Sequence, residues 1–338
     1  MSSGNTVRFS ILMPVFDEGK HVQEAIGSVL QQTFTDFELI VIDDGSTDNS
    51  VELIRSYEPR VKLLQQSRKG PEVARNNGAA IAKGEYLVFL DGDDFFFPFA
   101  LATLDRVIRE FDSPPLVLAT LLFFDDGEEV PVPTPNPIEV FKYKDYLSRT
   151  RPAGSATRAA NLTDSIVVKR SVFEGIGGMR NSSAETFYNE DSHLLLKLGT
   201  YGPCFIINQP ATIAYRKHAM NSTGNVVAIA QSWLRIARAE RRGEYGGKNK
   251  WGRYALIGGR SLQWAVRYCW PSRQHKLATQ LLFVTFPMIA VALANRLLRS
   301  FLRAEPPILL GRINENDDAP NLIFEQGQGS AVSELKKL

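Results

Sequence analysis

The amino-acid sequence predicts an α/β fold: a doubly wound, mostly parallel sheet flanked by helices, followed by a basic helical appendage. Three observations support this prediction. Short apolar runs alternate with helical patterns through the first hundred residues, which is the order that builds a parallel sheet. Acidic residues directly follow two of these runs. The segment 226–304 combines helical apolar spacing with a large excess of Lys and Arg.

The elements of the first hundred residues follow from the spacing of their apolar side chains. Strands are short, mostly apolar runs that end near a proline, a glycine or an aspartate. Helices repeat apolar residues every three or four positions and begin at capping residues or at a proline, as at Pro71. The predicted strands are residues 9–13, 39–42, 61–64 and 86–90, and the predicted helices are residues 22–30, 50–57 and 71–82.

Beyond Pro98 the pattern is less regular. We expect two halves of one α/β domain, residues 1–112 and 113–225, then the basic helical region 226–304 and a flexible tail, residues 305–338. The acids and prolines of residues 125–137 indicate a surface loop. The remaining predicted elements are a helix to residue 111, strands at 116–122 and 165–169, helices at 170–176 and 190–198, and helices from 226 to about 303.

Composition excludes several classes of protein. The chain has 338 residues, of which 44% are hydrophobic and 22% charged, so it is neither disordered nor fibrous. Cys204 and Cys269 are too few for a disulfide framework or a zinc ribbon, and we expect buried thiols in a reducing compartment. No apolar leader precedes the first strand, so we expect a cytoplasmic location. Phosphate-loop, dinucleotide-binding and zinc-hydrolase motifs are missing.

Charge is unevenly distributed. Residues 226–304 hold fourteen Lys and Arg against two Glu, a net charge of +12, and all four tryptophans. Because the whole chain carries +2, the rest carries −10. A basic helix with tryptophans is typical of a segment that lies flat on an anionic membrane; a basic face that covers the core or binds a protein is the alternative. The best apolar stretch, residues 281–294, is shorter than the roughly twenty residues a span needs, so we expect no crossing.

Two acidic clusters are the strongest candidates for a functional site. Asp43 and Asp44 follow the second predicted strand, and Asp91, Asp93 and Asp94 follow the fourth. Open parallel sheets bind ligands at the carboxyl ends of their strands. Two carboxylates one residue apart repel each other, and a divalent cation such as Mg²⁺ or Mn²⁺ relieves that repulsion. The alternative is a solvated acidic turn, because Asp-Gly is a common turn dipeptide.

Five segments, in order, resemble the motifs of family 2 glycosyltransferases, which have the GT-A fold. The match is dense over about residues 8–100 and continues more thinly to about residue 220. Phe16 and Asp17 replace the more frequent Tyr and Asn, and residues 112–161, which would shape the acceptor side, match least. The five segments are SILMPVFDE (10–18), SVLQQTF (28–34), FELIVIDDGSTD (37–48), ARNNG (74–78) and GEYLVFLDGDD (84–94).

The resemblance implies a donor site for a nucleotide sugar, with a UDP-sugar expected. Arg75 matches a basic position beside base and phosphates; a solvated helix residue is the alternative. Asp91 and Asp93 match the Asp-x-Asp element that binds Mn²⁺ or Mg²⁺, and we expect Asp93 to touch the metal directly. Asp94 either contacts the sugar or caps the next helix. The other residues that match nucleotide-binding positions, or neighbour them, are Pro14, Val15, Glu18, Asp43, Asp44 and Gly92.

The resemblance also implies a catalytic base. Inverting sugar transfer is a single displacement in which the acceptor hydroxyl loses its proton. Glu190 and Asp191 match the family's Glu-Asp element, with Asp191 as base and Glu190 as a neighbour that binds acceptor. An acidic helix start favoured by the helix dipole is the alternative. His218 falls where members often carry a histidine near metal or diphosphate, and an ordinary surface histidine is the alternative.

On this resemblance, residues 1–112 bind the nucleotide sugar and residues 113–225 provide the acceptor side and the base. We expect an inverting, metal-dependent enzyme of cell-surface polysaccharide or glycolipid synthesis, peripheral on the inner face of the membrane. The acceptor is then a saccharide or a lipid-linked molecule, and no nucleic acid is expected as a partner. The alternative is a non-catalytic nucleotide-sugar-binding or membrane assembly module. The complete set Asp44, Asp91, Asp93 and Asp191 argues against it.

Overall fold

A computed structural model describes residues 7–148, 162–179, 188–218, 225–247, 249–301 and 308–313. Twelve strands and nine α-helices lie within these ranges. The strands are β1 (Phe9–Val15), β2 (Phe37–Asp43), β3 (Lys62–Gln65), β4 (Tyr86–Phe89), β5 (Phe95–Phe96), β6 (Leu116–Leu118), β7 (Leu121–Asp125), β8 (Ile138–Tyr143), β9 (Ile166–Lys169), β10 (Cys204–Gln209), β11 (Ile213–Lys217) and β12 (Ile308–Ile313). The helices are α1 (Val22–Leu30), α2 (Ser50–Arg55), α3 (Pro71–Ile81), α4 (Ala100–Glu110), α5 (Arg170–Gly175), α6 (Glu190–Leu198), α7 (Val226–Arg241), α8 (Lys250–Trp264) and α9 (His275–Phe301).

A nine-stranded sheet forms the centre, in the order β12-β8-β10-β6-β9-β4-β1-β2-β3. Strands β3, β2, β1 and β4 run parallel, as the alternation of strands and helices predicts. Strand β9 enters antiparallel between β4 and β6. A small second sheet, β5-β11-β7, covers the carboxyl end of β4 on the site side. The predicted fold class is confirmed, and the four-part division of the chain stays a prediction.

Helices cover both faces of the sheet, which explains the continuous apolar runs of its central strands. Successive side chains of a strand point to opposite faces. Ile11 and Met13 therefore pack in one core with α1 and α4, while Leu12 packs in the other with α3 and α6. All seven residues of β1 are buried. The strand ends that carry the acidic clusters are thereby held on a rigid support.

Strand β1 continues through Pro14, where the sequence predicted a stop. Alternate residues of a central strand bond to the same neighbour, and the carbonyl of Leu12 accepts from Leu90 on the β4 side. Pro14 faces that side too, but β4 pairs with β1 only as far as Leu12. The N–H that proline lacks has no strand partner there, so the strand loses no ladder hydrogen bond.

Several antiparallel elements were not predicted. Residues 116–122 form two strands rather than one, because the chain leaves the large sheet after β6 and enters the small sheet as β7. Strands β8, β10 and β11 were missed, and β12 lies in the predicted flexible tail, where it pairs with β8. Each depends on a partner distant in the sequence. Cys204 and Cys269 are buried free thiols, as expected.

The helical region is confirmed as α7, α8 and α9, but α9 is longer than the sequence predicted. It runs without interruption through Pro287. His275–Leu298 is long and apolar enough, by length and composition, to cross a membrane. The prediction that the apolar stretch is limited to residues 281–294 is therefore wrong, because apolar turns on both sides of Pro287 join one helix.

Helices α8 and α9 approach each other closely at one glycine. A Cβ atom on Gly258 would lie 2.1 Å from the carbonyl oxygen of Met288, whereas one on Gly259 would meet only the Cβ of Ala292, at 3.9 Å. Only the first position thus requires glycine for backbone contact between the helices.

This difference gives a matched pair of variants. We expect Gly258→Ala to destabilise the protein by roughly 1–3 kcal/mol, because the backbone of α9 must move to admit the methyl group. Gly259→Ala has room for its methyl group and should stabilise α8 by about 0.5–1 kcal/mol. Urea unfolding followed by circular dichroism measures both, and equal effects would contradict the close contact.

Candidate active site

Acidic side chains from β1 and β4 meet at the carboxyl end of the sheet. A Cβ atom on Gly92 would lie 3.0 Å from Cγ2 of Val15, 3.4 Å from the carbonyl oxygen of Pro14 and 3.5 Å from Cγ of Glu18. The turn after β4 therefore packs directly on the loop after β1. Burial, reinforced by the charges of Asp93 and Asp91, raises the pKa of Glu18 to about 8. These four predicted donor-site residues are brought together.

The aspartates after β2 hold turns. Asp44 is buried, and its Oδ1 accepts from Gln66 Nε2 and Lys69 N, both at 2.7 Å, while its Oδ2 accepts from Gly70 N at 2.8 Å. The Oδ1 of Asp43 accepts from Ser46 N at 3.0 Å. Asp44 thus fixes the segment that leads into α3, and Asp43 fixes the turn that follows its own strand.

Arg75, on α3, is the buried cation of the site, with 1% of its side chain exposed. Its Nη2 donates to Oδ1 of Asp91, and its Nη1 lies 3.7 Å from Oε1 of Glu190. Burial alone would lower the pKa of Arg75, but Asp91, Glu190 and Asp164 together raise it. The alternative of a solvated helix residue is wrong. Arg75 instead connects the turn after β4 to the start of α6.

Asp93 and His218 are in direct contact, although 125 residues separate them. Oδ2 of Asp93 lies 2.8 Å from Nε2 of His218, which follows β11. Burial and the charge of Asp91 raise the pKa of Asp93, and His218 opposes that rise. The alternative of an unrelated surface histidine is wrong for His218.

Sequence reasoning missed His21. Its ring stacks on His218 with 5.5 Å between centroids. It also lies 3.5 Å from Oε2 of Glu18 and 3.5 Å from Oδ1 of Asp126. Burial and the charge of Arg216 lower the pKa of His21, which favours the neutral ring. Its place three residues after Glu18, just beyond the first motif, was the only sequence signal.

Arg216 was also missed, and it holds the turn after β4. Its Nε donates to the carbonyl of Asp93 at 2.9 Å, and its Nη1 donates to Oδ1 of Asp126 at 3.0 Å. Its backbone N–H donates to Oδ1 of Asp94 at 2.7 Å. Asp94 is therefore a buried acceptor and caps no helix, since α4 begins after Phe99. The prediction of a cap is wrong.

Asp164 supports the same turn from behind. Its Oδ1 accepts from the backbone N–H of Asp91 at 3.2 Å, and the side chain is buried. Burial and the charge of Asp91 raise the pKa of Asp164 well above its usual range. Together with Arg216, it fixes residues 91–94 through hydrogen bonds to their backbone and to Asp94.

Glu190 and Asp191 begin α6 and are partly buried. Burial and the neighbouring charge of Glu190 raise the pKa of Asp191 to about 7, while Ser192 N–H opposes the rise. Burial also raises the pKa of Glu190, against the attraction of Arg75. A simple helix start would be solvated, whereas Glu190 lies beside Arg75 and Asp191 is its neighbour in the sequence. Asp191 is thus poised to exchange a proton near neutral pH.

The predicted metal ligands form a partial set. Within the described residues, no three His, Cys, Asp or Glu side chains are arranged to hold a metal ion by themselves. Asp93 and His218 are adjacent, while Oδ1 of Asp91 is paired with Arg75. A magnesium-like ion is commonly bound by one or two carboxylates together with phosphate oxygens of the substrate. The donor set fits an ion that arrives with a diphosphate.

Comparisons with known proteins identify the family of this chain. Residues 10–177, about half of the chain, match the family model "Glycosyl transferase family 2". The uncharacterized glycosyltransferase YibD of Escherichia coli is 40% identical over 111 residues, 32% of each chain. TarP of Staphylococcus aureus, a poly(ribitol-phosphate) beta-N-acetylglucosaminyltransferase, is 38% identical over 130 residues, 37% of this chain and 39% of TarP. The matched segments span about a third of the length of these relatives.

Solved structures share the fold. S. aureus TarS 1–349 in complex with UDP-GlcNAc superposes with a TM-score of 0.62 at 16% identity, over 84% of this chain and 81% of that one. The mannosyltransferase PcManGT of Pyrobaculum calidifontis, in complex with GDP-Man and Mn²⁺, gives a TM-score of 0.54 at 17% identity, over 87% and 81%. At these identities the likeness establishes the GT-A fold alone.

Because the pKa of Asp191 is raised, the free energy of unfolding should decrease as the pH rises towards that pKa. From pH 5 to pH 8 the buried carboxyl is forced to ionise in the folded state, whereas in the unfolded state it is already ionised. Wild-type stability should fall over this range on account of Asp191. We expect the melting temperature of Asp191→Asn, relative to wild type, to rise steadily from pH 5 to pH 8.

Differential scanning fluorimetry measures this trend. Asp125→Asn is the matched control, since it makes the same substitution at an exposed position. A difference between Asp191→Asn and wild type that stays constant with pH would contradict the raised pKa.

Proposed function

We propose that this chain, which belongs to glycosyltransferase family 2, transfers a sugar from a UDP-sugar to an acceptor hydroxyl with inversion at the anomeric carbon. One observation carries the proposal: Arg75 joins Asp91, on the donor side, to Glu190, at the start of α6. In this proposal the donor motif and the base, Asp191, belong to one site, and the contact of Arg75 with Glu190 supports it. A nucleotide sugar as donor agrees with the family and with the complexes of both structural neighbours.

Asp191 serves as the general base in this proposal. The acceptor hydroxyl gives up its proton as its oxygen attacks the anomeric carbon, and a base works best when its pKa is close to the working pH. Burial places the pKa of Asp191 at about 7. Glu190 keeps Asp191 basic by its charge, while Arg75 holds Glu190 in place.

The nucleotide lies on the loop after β1 and the turn after β2. Pro14 and Val15 line this side beside Gly92. Asp44 holds the 66–70 segment, which forms the opposite wall. The UDP-GlcNAc bound to TarS agrees with a UDP-sugar, whereas PcManGT has the same fold and binds GDP-Man.

Asp93 and His218 would hold Mn²⁺ or Mg²⁺ together with the donor diphosphate. Such an ion supplies Lewis-acid stabilisation of the charge that develops on the departing diphosphate. The support is the contact between these two side chains and the raised pKa of Asp93, which marks a site with excess negative charge. Mn²⁺ in PcManGT agrees with this assignment.

For the acceptor, we infer a saccharide or a lipid-linked molecule of cell-surface polysaccharide or glycolipid synthesis. The relative TarP acts on poly(ribitol-phosphate), as its name states. The net charge of +12 in residues 226–304 suits an anionic acceptor or an anionic membrane. We place the enzyme in the cytoplasm, peripheral on the inner face of the membrane.

Donor turnover tests the proposal. We expect the protein with Mn²⁺ to hydrolyse UDP-GlcNAc or another UDP-sugar slowly, and Asp93→Ala to lose this activity by about 10²-fold or more, because charge on the diphosphate is no longer neutralised. Released UDP is the measurement. Asp125→Ala, an exposed aspartate on β7, is the control and should keep wild-type turnover. Nucleotide binding without turnover in any of these proteins would favour a non-catalytic module.

The pH dependence tests the base. We expect kcat/KM to rise with pH and level off above an apparent pKa of about 7, because only ionised Asp191 accepts the proton. Asp191→Asn should abolish this limb and lower kcat by about 10²- to 10⁴-fold. UDP affinity, measured by calorimetry, should stay within about twofold, since Asp191 does not touch the nucleotide in this proposal. Equal turnover in both proteins would reject Asp191 as base.

A further inference from the structure

We propose that the outer face of α9, with the turn before it, docks on an anionic phospholipid surface, so that α9 lies in the plane of the headgroups. This inference names the residues for the membrane contact of the proposed function, and it is independent of the transfer chemistry. The outer face of α9 consists of Phe283, Phe286, Pro287, Ala290, Leu293, Ala294 and Leu297, all exposed.

Helix α9 has two unlike faces. The inner face packs on α8 and α7 and buries Ala278, Leu281, Thr285 and Met288. The outer face is apolar yet open to solvent, with 83% of Phe283 and 69% of Phe286 exposed. Soluble proteins rarely expose a continuous apolar surface without a binding partner.

The spacing makes the outer face one stripe. From Phe283 to Leu297, its residues recur every three or four positions, the repeat of a single helix face. At 1.5 Å per residue the stripe is about 21 Å long. A stripe of this length along one side of a helix suits a flat apolar layer.

Both ends of the stripe carry aromatic and basic residues. The turn that precedes α9 exposes Tyr268 and 54% of Trp270, together with Arg267 and Arg273. Trp and Tyr favour the boundary between headgroups and acyl chains.

At the other end of the α8–α9 pair, Trp251 is 73% exposed, and Arg296 is also exposed. The antiparallel packing of the two helices brings the start of α8 towards the end of α9, where Gly252 and Arg296 line the same groove. Aromatic and cationic residues thus bracket the apolar stripe at both ends.

A basic cleft opens beside the first turns of α9. It has a volume of about 630 Å³ and is lined by Arg235 and Arg238 of α7 and by Gln280 of α9, one turn before Phe283. Arg242 and Glu244, which form an ion pair, also line it, so the cleft keeps a net positive charge. Guanidinium groups bind phosphate oxygens through paired hydrogen bonds. The cleft therefore fits the phosphate of an anionic headgroup next to the apolar stripe.

The charge around the outer face of α9 favours a lipid surface over a second copy of this chain as its binding partner. Two copies that met through this face would bring their flanking arginines together, and like charges across an interface are unfavourable. An anionic bilayer offers apolar chains and negative headgroups at once. The packing against α8 at Gly258 and Met288 keeps α9 on the body of the protein, so the helix lies on the bilayer rather than across it.

Vesicle flotation tests the inference with the full-length protein. We expect binding to vesicles of phosphatidylcholine with about 30% phosphatidylglycerol and far less to phosphatidylcholine alone, since each basic residue near an anionic surface contributes about fivefold in affinity. Phe283→Ser with Phe286→Ser should reduce binding at least tenfold, whereas Val132→Ser, a control at an exposed loop position, should not. Arg267→Gln with Arg273→Gln should remove about 25-fold of the affinity for anionic vesicles.

Equal flotation of the phenylalanine variant and the wild-type protein would overturn the inference. So would wild-type protein that stays with the vesicles at alkaline pH, as a spanning helix does. A wild-type dimer that the phenylalanine variant converts into a monomer would overturn it as well. The readout is separate from transfer. Asp93→Ala should float like wild type without turnover, and the phenylalanine variant should keep wild-type hydrolysis of the UDP-sugar in solution.

Discussion

The site depends on the burial of one guanidinium among carboxylates. Arg75 lies inside the molecule, where a cation is stable only with partners, and Asp91 and Glu190 supply them from opposite sides. The positive charge of Arg75 also offsets the repulsion among the carboxylates of Asp91, Glu190 and Asp164, which lie around it. Its position comes from α3, whose Pro71 start and buried face place the side chain under the carboxyl ends of β1 and β4. The turn after β4 and the start of α6 are joined at this one side chain.

Local pattern was sufficient for the parallel half of the fold. Strands β1 to β4 and helices α1 and α3 lie within a few residues of their predicted bounds, because each depends on its own apolar spacing. The residues taken from the motifs, such as Asp93 and Arg75, lie together for the same reason. Arg216 and Asp164 could not be found this way. Their partners, Glu24 and Asp91, are 192 and 73 residues away, and no periodicity records a pairing across that distance.

The helical region shows the same limit. Its charge and its tryptophans were visible in the sequence, but the face that stays open was not. Gly258 allows the backbone of α9 to pack closely on α8 at Met288. With that side of α9 buried, Phe283 and Phe286 are left exposed. Pro287 lies on the exposed side, where the helix continues through it. A proline that reads as a break in a one-dimensional pattern is tolerated here because the surrounding turns are held by α8.

The carboxylate of Asp44 has a mechanical consequence. It accepts hydrogen bonds from the amides of Lys69 and Gly70, and α3 starts at the next residue, so Asp44 ties the end of β2 to the helix that bears Arg75. Little more than one helical turn separates the residues that Asp44 holds from the guanidinium of Arg75, so a substitution at Asp44 should disturb both.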